Sequence, residues 1–300
     1  MTARVLITGA GGFVGGFLAQ GLLASGYAVT GFDKLFDDEA RARLVGADLI
    51  EADLAPETLA PLGAFDLVIH GAAITTSPAE LGISEDDYIR RNCDMTVAAL
   101  DFAIAAGASD FVFLSSSGVF DADDATEVLV ESTPARAALP YAVAKRAGEA
   151  LLSTAPNAIR AVAVRLGPIY GPGERSRPTR IGLSPISRWI AAAAAGQPLD
   201  IDMPRARRDW TFGPDLPGAL VALLAQQPAI SGVVHLTSGE AIDDVDLAAR
   251  IAAHFGVAVA PLSREPRSRR LPMISERLDA DFYPWTPLSD GLALTLEARP

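Results

Sequence analysis

Thr8-Gly9-Ala10-Gly11-Gly12-Phe13-Val14-Gly15 is the stretch on which the reading of this chain turns. A short apolar run, Arg4–Thr8, precedes it, and a helical pattern, Phe13–Ser25, begins inside it and is closed by Gly26. The useful spacing is Gly9, Gly12 and Gly15. One glycine makes a tight turn, one lets the backbone approach a phosphate, and one lets helix pack closely on strand. The N-terminus of such a helix offers N–H donors and the positive end of a dipole, which suit a pyrophosphate. Strand, glycine turn and helix in that order predict a dinucleotide site, with Phe13 and Val14 in its turn.

Outward from the turn, Tyr27–Phe32 reads as a second strand closed by Asp33. A carboxylate there accepts hydrogen bonds from ribose hydroxyls and repels a 2′-phosphate, favouring NAD over NADP. Lys34 beside it pulls the other way. Further strands are expected at Ala47–Ile50, Asp66–His70, Phe111–Ser115 and Ala161–Leu166, with helices at Glu85–Ala106 and Tyr141–Thr154. Continuous apolar strands imply burial on both faces, hence a parallel sheet covered by helices. The predicted class is α/β, a Rossmann-type doubly wound parallel sheet.

After Tyr170 the texture changes. Gly171–Pro185 is rich in Gly, Pro, Ser and Arg, as a loop over a site would be. Shorter helices at Pro185–Ala195, Asp215–Ala225 and Asp243–His254, and a strand near Val233–Thr237, suggest a smaller C-terminal α/β lobe. The expected organisation is a dinucleotide-binding domain over 1–170 and a mainly substrate-binding lobe over 171–300.

Composition narrows the function. The 300 residues are 50% hydrophobic and carry a net charge of −12, which supplies a core and repels a nucleic-acid backbone. Arginines nevertheless cluster at Arg175–Arg180, Arg205–Arg208 and Arg264–Arg270. They read either as solvated loop charge or as guanidinium groups that capture an anion. Cys93 is the lone cysteine, so no internal disulfide forms, and it reads as a small packing residue. His70, His235 and His254 lie far apart without metal-ligand spacing, so no metal is expected. With no leader pattern, and apolar runs such as Ile190–Ala195 too short to span a bilayer, a cytoplasmic protein without membrane contact is expected.

Tyr141-Ala142-Val143-Ala144-Lys145 places a phenol and an ammonium four residues apart on one helix face. A phenol is a poor base at neutral pH, but a nearby ammonium favours the phenolate and makes proton exchange with a substrate hydroxyl feasible. Ser115-Ser116-Ser117 ends the fifth expected strand, and ligands of open α/β sheets bind outside such strand ends. A serine there can hold a reacting oxygen. A Ser-rich loop satisfying its own backbone is the alternative.

The ordered set Thr8–Gly15, Asp33, Asp53-Leu54, His70-Gly71-Ala72-Ala73, Asn92, Ser115–Phe120, Tyr141–Lys145, Arg165–Gly173, Arg208–Leu216 and Trp285–Pro287 resembles the extended short-chain dehydrogenases/reductases. Within them the likeness is to the NAD-dependent epimerase/dehydratase group, and it covers nearly the whole chain. The resemblance implies NAD as cofactor, Tyr141 as catalytic acid/base, and Lys145 as the residue that lowers its pKa and holds the nicotinamide ribose. Ser116, with Ser117 beside it, would bind the reacting oxygen. Asp53 and Leu54 would lie by the adenine, Gly71, Ala72 and Ala73 along the ribose and phosphates, Asn92 near the cofactor, and Leu166 to Ile169 by the nicotinamide. A homodimer through the helices Glu85–Ala106 and Tyr141–Thr154 is also implied.

Departures from the family pattern bear on the reaction. Ser117-Gly118 stands where dehydratases of the group carry Asp-Glu, which argues against dehydration. Pro168 stands where nucleotide-sugar enzymes usually carry an asparagine that helps hold the diphosphate. Phe120 replaces a common tyrosine, whereas Arg208 matches an arginine that often contacts substrate phosphate. The expected activity is an NAD-dependent oxidoreductase on a sugar, sugar acid or related substrate. An NDP-sugar epimerase with tightly bound NAD is the alternative, and a non-catalytic dinucleotide sensor the third reading. Arg175, Arg177, Arg180 and Arg208 point to an acidic or phosphorylated substrate.

Overall fold

The computed structural model describes residues 2–121, 124, 127–260 and 270–298. The first half alternates strand and helix: β1 (Arg4–Thr8), α1 (Phe13–Ala24), β2 (Ala28–Asp33), α2 (Asp38–Arg43), β3 (Asp48–Glu51), α3 (Pro56–Leu59), β4 (Leu67–His70), α4 (Pro78–Leu81), α5 (Glu85–Ala105), β5 (Asp110–Ser116), α6 (Pro140–Leu151) and β6 (Arg160–Leu166). Then come β7 (Ile169–Tyr170), α7 (Pro185–Ala194), β8 (Arg207–Asp209), β9 (Thr211–Phe212), α8 (Leu216–Gln226), β10 (Gly232–Leu236), β11 (Ala241–Asp243), α9 (Asp244–Phe255) and α10 (Leu288–Glu297).

Seven strands form one sheet in the order β10-β6-β5-β4-β1-β2-β3. The pairs from β3 through to β6 are parallel. Right-handed crossovers place helices on the faces of such a sheet, so its strands are apolar throughout. Leu6, Val68, Phe111 and Ala163 are fully buried in it, and Ala98, Ala99, Phe102 and Ala103 of α5 pack against them. β1 lies between β2 and β4, so the chain winds away from it in both directions. The C-terminal end of β1, where the glycine turn begins, is thus the topological switch point at which open sheets bind ligands.

The chain folds as two compact units, each drawn from three segments. The first comprises Met1–Val119, Ala137–Leu166 and Pro214–Val234, and the second Phe120–Arg136, Gly167–Gly213 and His235–Pro300. The return of Pro214–Val234 to the first unit has a packing reason. A Cβ on Gly21 of α1 would lie 2.3 Å from Pro217 Cγ, so α8 is seated directly on α1. The strand expected with the smaller lobe is β10, which instead extends the main sheet beside β6, with Val233 packed against its core.

The second unit has its own core, in which Trp189 and Ile190 of α7, Trp210, Leu247 and Ile251 of α9, and Leu288 of α10 are buried. Two short ladders, β8 with β11 and β7 with β9, accompany it. Among the described residues no helix is long and apolar enough to cross a membrane.

Candidate active site

In the first unit the glycines act by backbone crowding. Gly9 has φ of +77°, and a Cβ there would lie 2.7 Å from the Ala72 nitrogen. A Cβ on Gly15 would lie 2.1 Å from the Gly9 carbonyl oxygen, so helix α1 can press onto the turn only without one. Gly12 is the N-cap of α1, no side chain caps it, and the first turn of the helix carries no carboxylate. A bare cap and a positive dipole end fit a pyrophosphate, so the residues present suit a dinucleotide.

Asp33 is held at the end of β2, where its Oδ2 accepts the Gly11 N–H (2.9 Å) and its Oδ1 the Leu35 N–H (3.3 Å). Lys34 turns to Asp53, Nζ to Oδ1 2.9 Å, in a pair exposed on both sides. Leu54 packs against the main core. At the end of β4, Gly71 N–H donates to the Thr8 carbonyl (3.0 Å) and Ala72 N–H to Thr8 Oγ1 (3.3 Å). Thr8 Oγ1 also meets His70 Nδ1 at 2.8 Å. Burial, and then the Lys145 charge, pushes His70 down to about 3, so its imidazole is neutral, and the ring stacks on Phe111 and Phe113 of β5.

Asn92 acts on the loop that follows β4. Its Oδ1 accepts the Ile74 N–H at 2.9 Å, its Nδ2 donates to the Tyr88 carbonyl at 3.0 Å, and the Tyr88 hydroxyl donates to the Ile74 carbonyl. Tyr88 is pushed up to about 12 by burial and then by Tyr141. Its place one turn before Asn92 on α5 was the signal available in the sequence. Cys93 is half-buried, and burial raises its thiol pKa.

The catalytic candidates come together. One point, the position a Cβ on Gly118 would take, lies 3.2 Å from Ser116 Oγ and 3.5 Å from Tyr141 Cε1. Ser116 Oγ accepts the Gly118 N–H at 3.0 Å. Lys145 is buried, donates from Nζ to the Leu114 carbonyl at 2.7 Å, and lies 5.7 Å from the Tyr141 ring centroid and 4.7 Å from that of Phe113. Burial, opposed by Glu149, pulls its pKa from 10.5 to about 8. An ammonium beside a phenol, with a hydroxyl donor across from them, can move a proton to and from a substrate oxygen. The neighbouring Ser115 faces elsewhere and donates to Glu149 Oε1 at 2.6 Å.

The remaining candidates lie in the second unit, apart from Leu166, the buried last residue of β6. Ile169 pairs with Thr211. Arg208 is engaged by Asp244, with Nε 2.9 Å from Oδ1 and 3.1 Å from Oδ2, and its side chain is 14% exposed. Asp244 is raised by burial against the pull of Arg208. Arg175 is half-buried beside Glu174, whose carboxylate accepts from Arg180, Ser184 and Ser187 and so shapes the loop before α7. Of Arg264–Arg270 only Arg270 is among the described residues. Its pKa is lowered by burial and then by the nearby Arg208 charge, so two guanidinium groups share one neighbourhood. No cluster of His, Cys, Asp and Glu that could hold a metal occurs among the described residues.

The family model described as NAD dependent epimerase/dehydratase matches residues 5–234. The chain belongs to that family, enzymes of the extended short-chain dehydrogenase/reductase type, and NAD is its cofactor. The dTDP-L-rhamnose 4-epimerase of Burkholderia thailandensis is 32% identical over 93 residues, a match that spans 31% of this chain and only 25% of that relative. The epimerase Mth375 from Methanothermobacter thermautotrophicus superimposes with a TM-score of 0.85 at 24% identity, over 99% of this chain and 92% of that one. MoeE5 in complex with UDP-glucose and NAD superimposes with a TM-score of 0.78 at 27% identity, over 99% and 98%.

Proposed function

We propose that the protein removes and returns hydride at a secondary alcohol carbon of a nucleotide-linked sugar, with epimerisation as the net result. The observation that carries this is the meeting of Ser116, Tyr141 and Lys145 in one unit with the glycine turn. In this reading the α1 N-terminus holds the pyrophosphate, Asp33 the adenosine ribose and Lys145 the nicotinamide ribose. NAD, when bound, supplies the hydride acceptor. Ser116 donates to the reacting oxygen and fixes it toward Tyr141. Tyr141, as the phenolate that the Lys145 ammonium stabilises, takes the hydroxyl proton as the carbonyl forms, stands as the neutral phenol in between, and gives the proton back when the alcohol is restored.

The sugar-nucleotide substrate is supported by the UDP-glucose complex of MoeE5 and by the epimerase relatives. Ser117 and Gly118 offer no acid-base pair for expelling water, which separates this site from a dehydratase. Net oxidation is the second reading, favoured by Pro168, which cannot supply an amide to a diphosphate. In the cell we propose a cytoplasmic homodimer paired through α5 and α6, consistent with Val97 and Ile104 exposed on α5.

The test is incubation with free NAD and a panel of UDP-sugars, uronates included. Conversion of one sugar to its epimer with no lasting rise in reduced-nicotinamide absorbance is the expected result. A lasting rise establishes the dehydrogenase, and no change with any sugar nucleotide defeats both readings.

A further inference from the structure

α6 places Glu149 one helical turn beyond Lys145, on the same face. Its carboxylate accepts three hydrogen bonds from two other elements: Ser115 Oγ of β5 (2.6 Å), Arg165 Nε of β6 (2.8 Å) and Arg165 Nη2 (2.8 Å). The Arg165 and Glu149 side chains are 7% and 8% exposed. A buried ion pair gains little stability over a well-packed apolar pair of the same shape. What this pair does uniquely is mechanical. The Glu149 carboxylate ties α6, which carries Tyr141 and Lys145, to β6 through Arg165 and to β5, which carries Ser116, through Ser115.

Ser115 is the chain neighbour of Ser116, so fixing Ser115 against α6 fixes the spacing across the reacting oxygen. We infer that Glu149 is a positioning residue that sets the distance of Ser116 from the Tyr141–Lys145 pair and is the counter-charge to the Lys145 ammonium one helical turn away. The inference rests on the role proposed above for Tyr141 and Lys145.

The groups around Lys145 define the charge part of the role. From α6 come Tyr141 and Glu149, from β5 the Leu114 carbonyl and the face of Phe113, and from β4 His70, which is neutral. Tyr88 of α5 interacts with Tyr141. Glu149 supplies the carboxylate of this set. It opposes the burial that lowers Lys145 to about 8. Without its charge the ammonium gives up its proton at still lower pH, and the phenolate loses its stabilising partner.

The experiment uses the full chain. The Lys145 titration is followed by NMR of isotope-labelled lysine without substrate, and turnover is followed with UDP-glucose and NAD. Glu149→Gln is expected to move the Lys145 midpoint down by about one pH unit. Ser115→Ala keeps every charge. It is expected to leave that midpoint in place and to lower kcat roughly 10-fold at nearly constant KM, because misplacement of reacting groups is read in kcat. A folded Glu149→Gln protein with an unmoved midpoint overturns the charge role, and a Ser115→Ala protein with unchanged kcat overturns the positioning role. Should Glu149→Gln not fold, Glu149→Asp takes its place. It keeps the charge and shortens the reach, so lower kcat with an unmoved midpoint is expected, and unchanged kcat overturns the inference. If wild-type protein is inert toward UDP-glucose, the kinetics use whichever sugar nucleotide of the panel turns over; inertness toward all of them, or a Tyr141→Phe variant as active as wild type, counts against the functional reading and leaves the titration to decide this one.

Discussion

The two units use buried charge in different ways. In the first, the buried charges gather beside the candidate site: His70 is uncharged, Lys145 is lowered to about 8, and Glu149 is saturated by Ser115 and Arg165. In the second, buried charge holds irregular chain in place. Asp209 of β8 is almost fully buried and accepts from Thr237 and from the Met273 N–H (2.9 Å), while a Cβ on Gly167 would lie 2.4 Å from its Oδ2. Asp244 clamps Arg208, and Glu131 accepts from the His235 and Glu276 N–H groups, both at 2.8 Å. A regular sheet satisfies its own backbone, so its polar side chains are available for chemistry. Loops lack that self-sufficiency and recruit carboxylates as struts.

The contrast can be broken by substitution. The largest effect is expected from Tyr141→Phe, which should lower kcat roughly 10²- to 10⁴-fold with NAD binding retained, as steady-state kinetics and NAD titration will show. Lys145→Met should cost about 10²-fold in kcat. Because charging a buried ammonium opposes folding, calorimetry at neutral pH should find its Tm no lower than wild type. If Lys145 were instead a strut like those of the second unit, its loss would lower Tm.

Arg208→Ala should raise KM for a UDP-sugar roughly 10-fold and also destabilise the second unit, since Asp244 is left buried without its cation. Pairing the change with Asp244→Asn should restore stability and leave KM high. A restored KM would make Arg208 a strut only.

The smallest effect is expected at Asp209, which burial raises from 3.8 to about 6. Its native state holds a proton more tightly than the unfolded chain, so stability is greatest below pH 4 on this account and falls as pH rises through about 6. Asp209→Asn should remove that slope, as urea unfolding at a series of pH values will show.

What was legible in the sequence follows the same division. Arg4–Thr8 was read to the residue as β1, and Glu85–Ala106 nearly so as α5, because apolar runs and helical spacing are local signals. The glycine turn and the Tyr141–Lys145 spacing were legible for the same reason. Partnerships across the chain were not. Nothing local pairs Ser115 with Glu149, Arg208 with Asp244, or Gly16 with Arg43, whose Nη2 would lie 1.9 Å from a Cβ on that glycine. β7, β8, β9 and β11 are two or three residues long and α10 lies beyond a Pro-rich stretch, too little pattern to announce an element.

The three excursions that build the second unit depart from the chain just after β5, after β6 and within β10, three strands that are consecutive neighbours at one side of the sheet. Heredity could therefore rewrite the second unit by exchanging three cassettes, while the strands that carry Gly9 and Asp33 and the helix that carries Tyr141 pass on untouched. A chimera that receives all three from a relative should inherit the donor's taste in substrates and keep its own dinucleotide. One that receives a single cassette would join struts to the wrong partners.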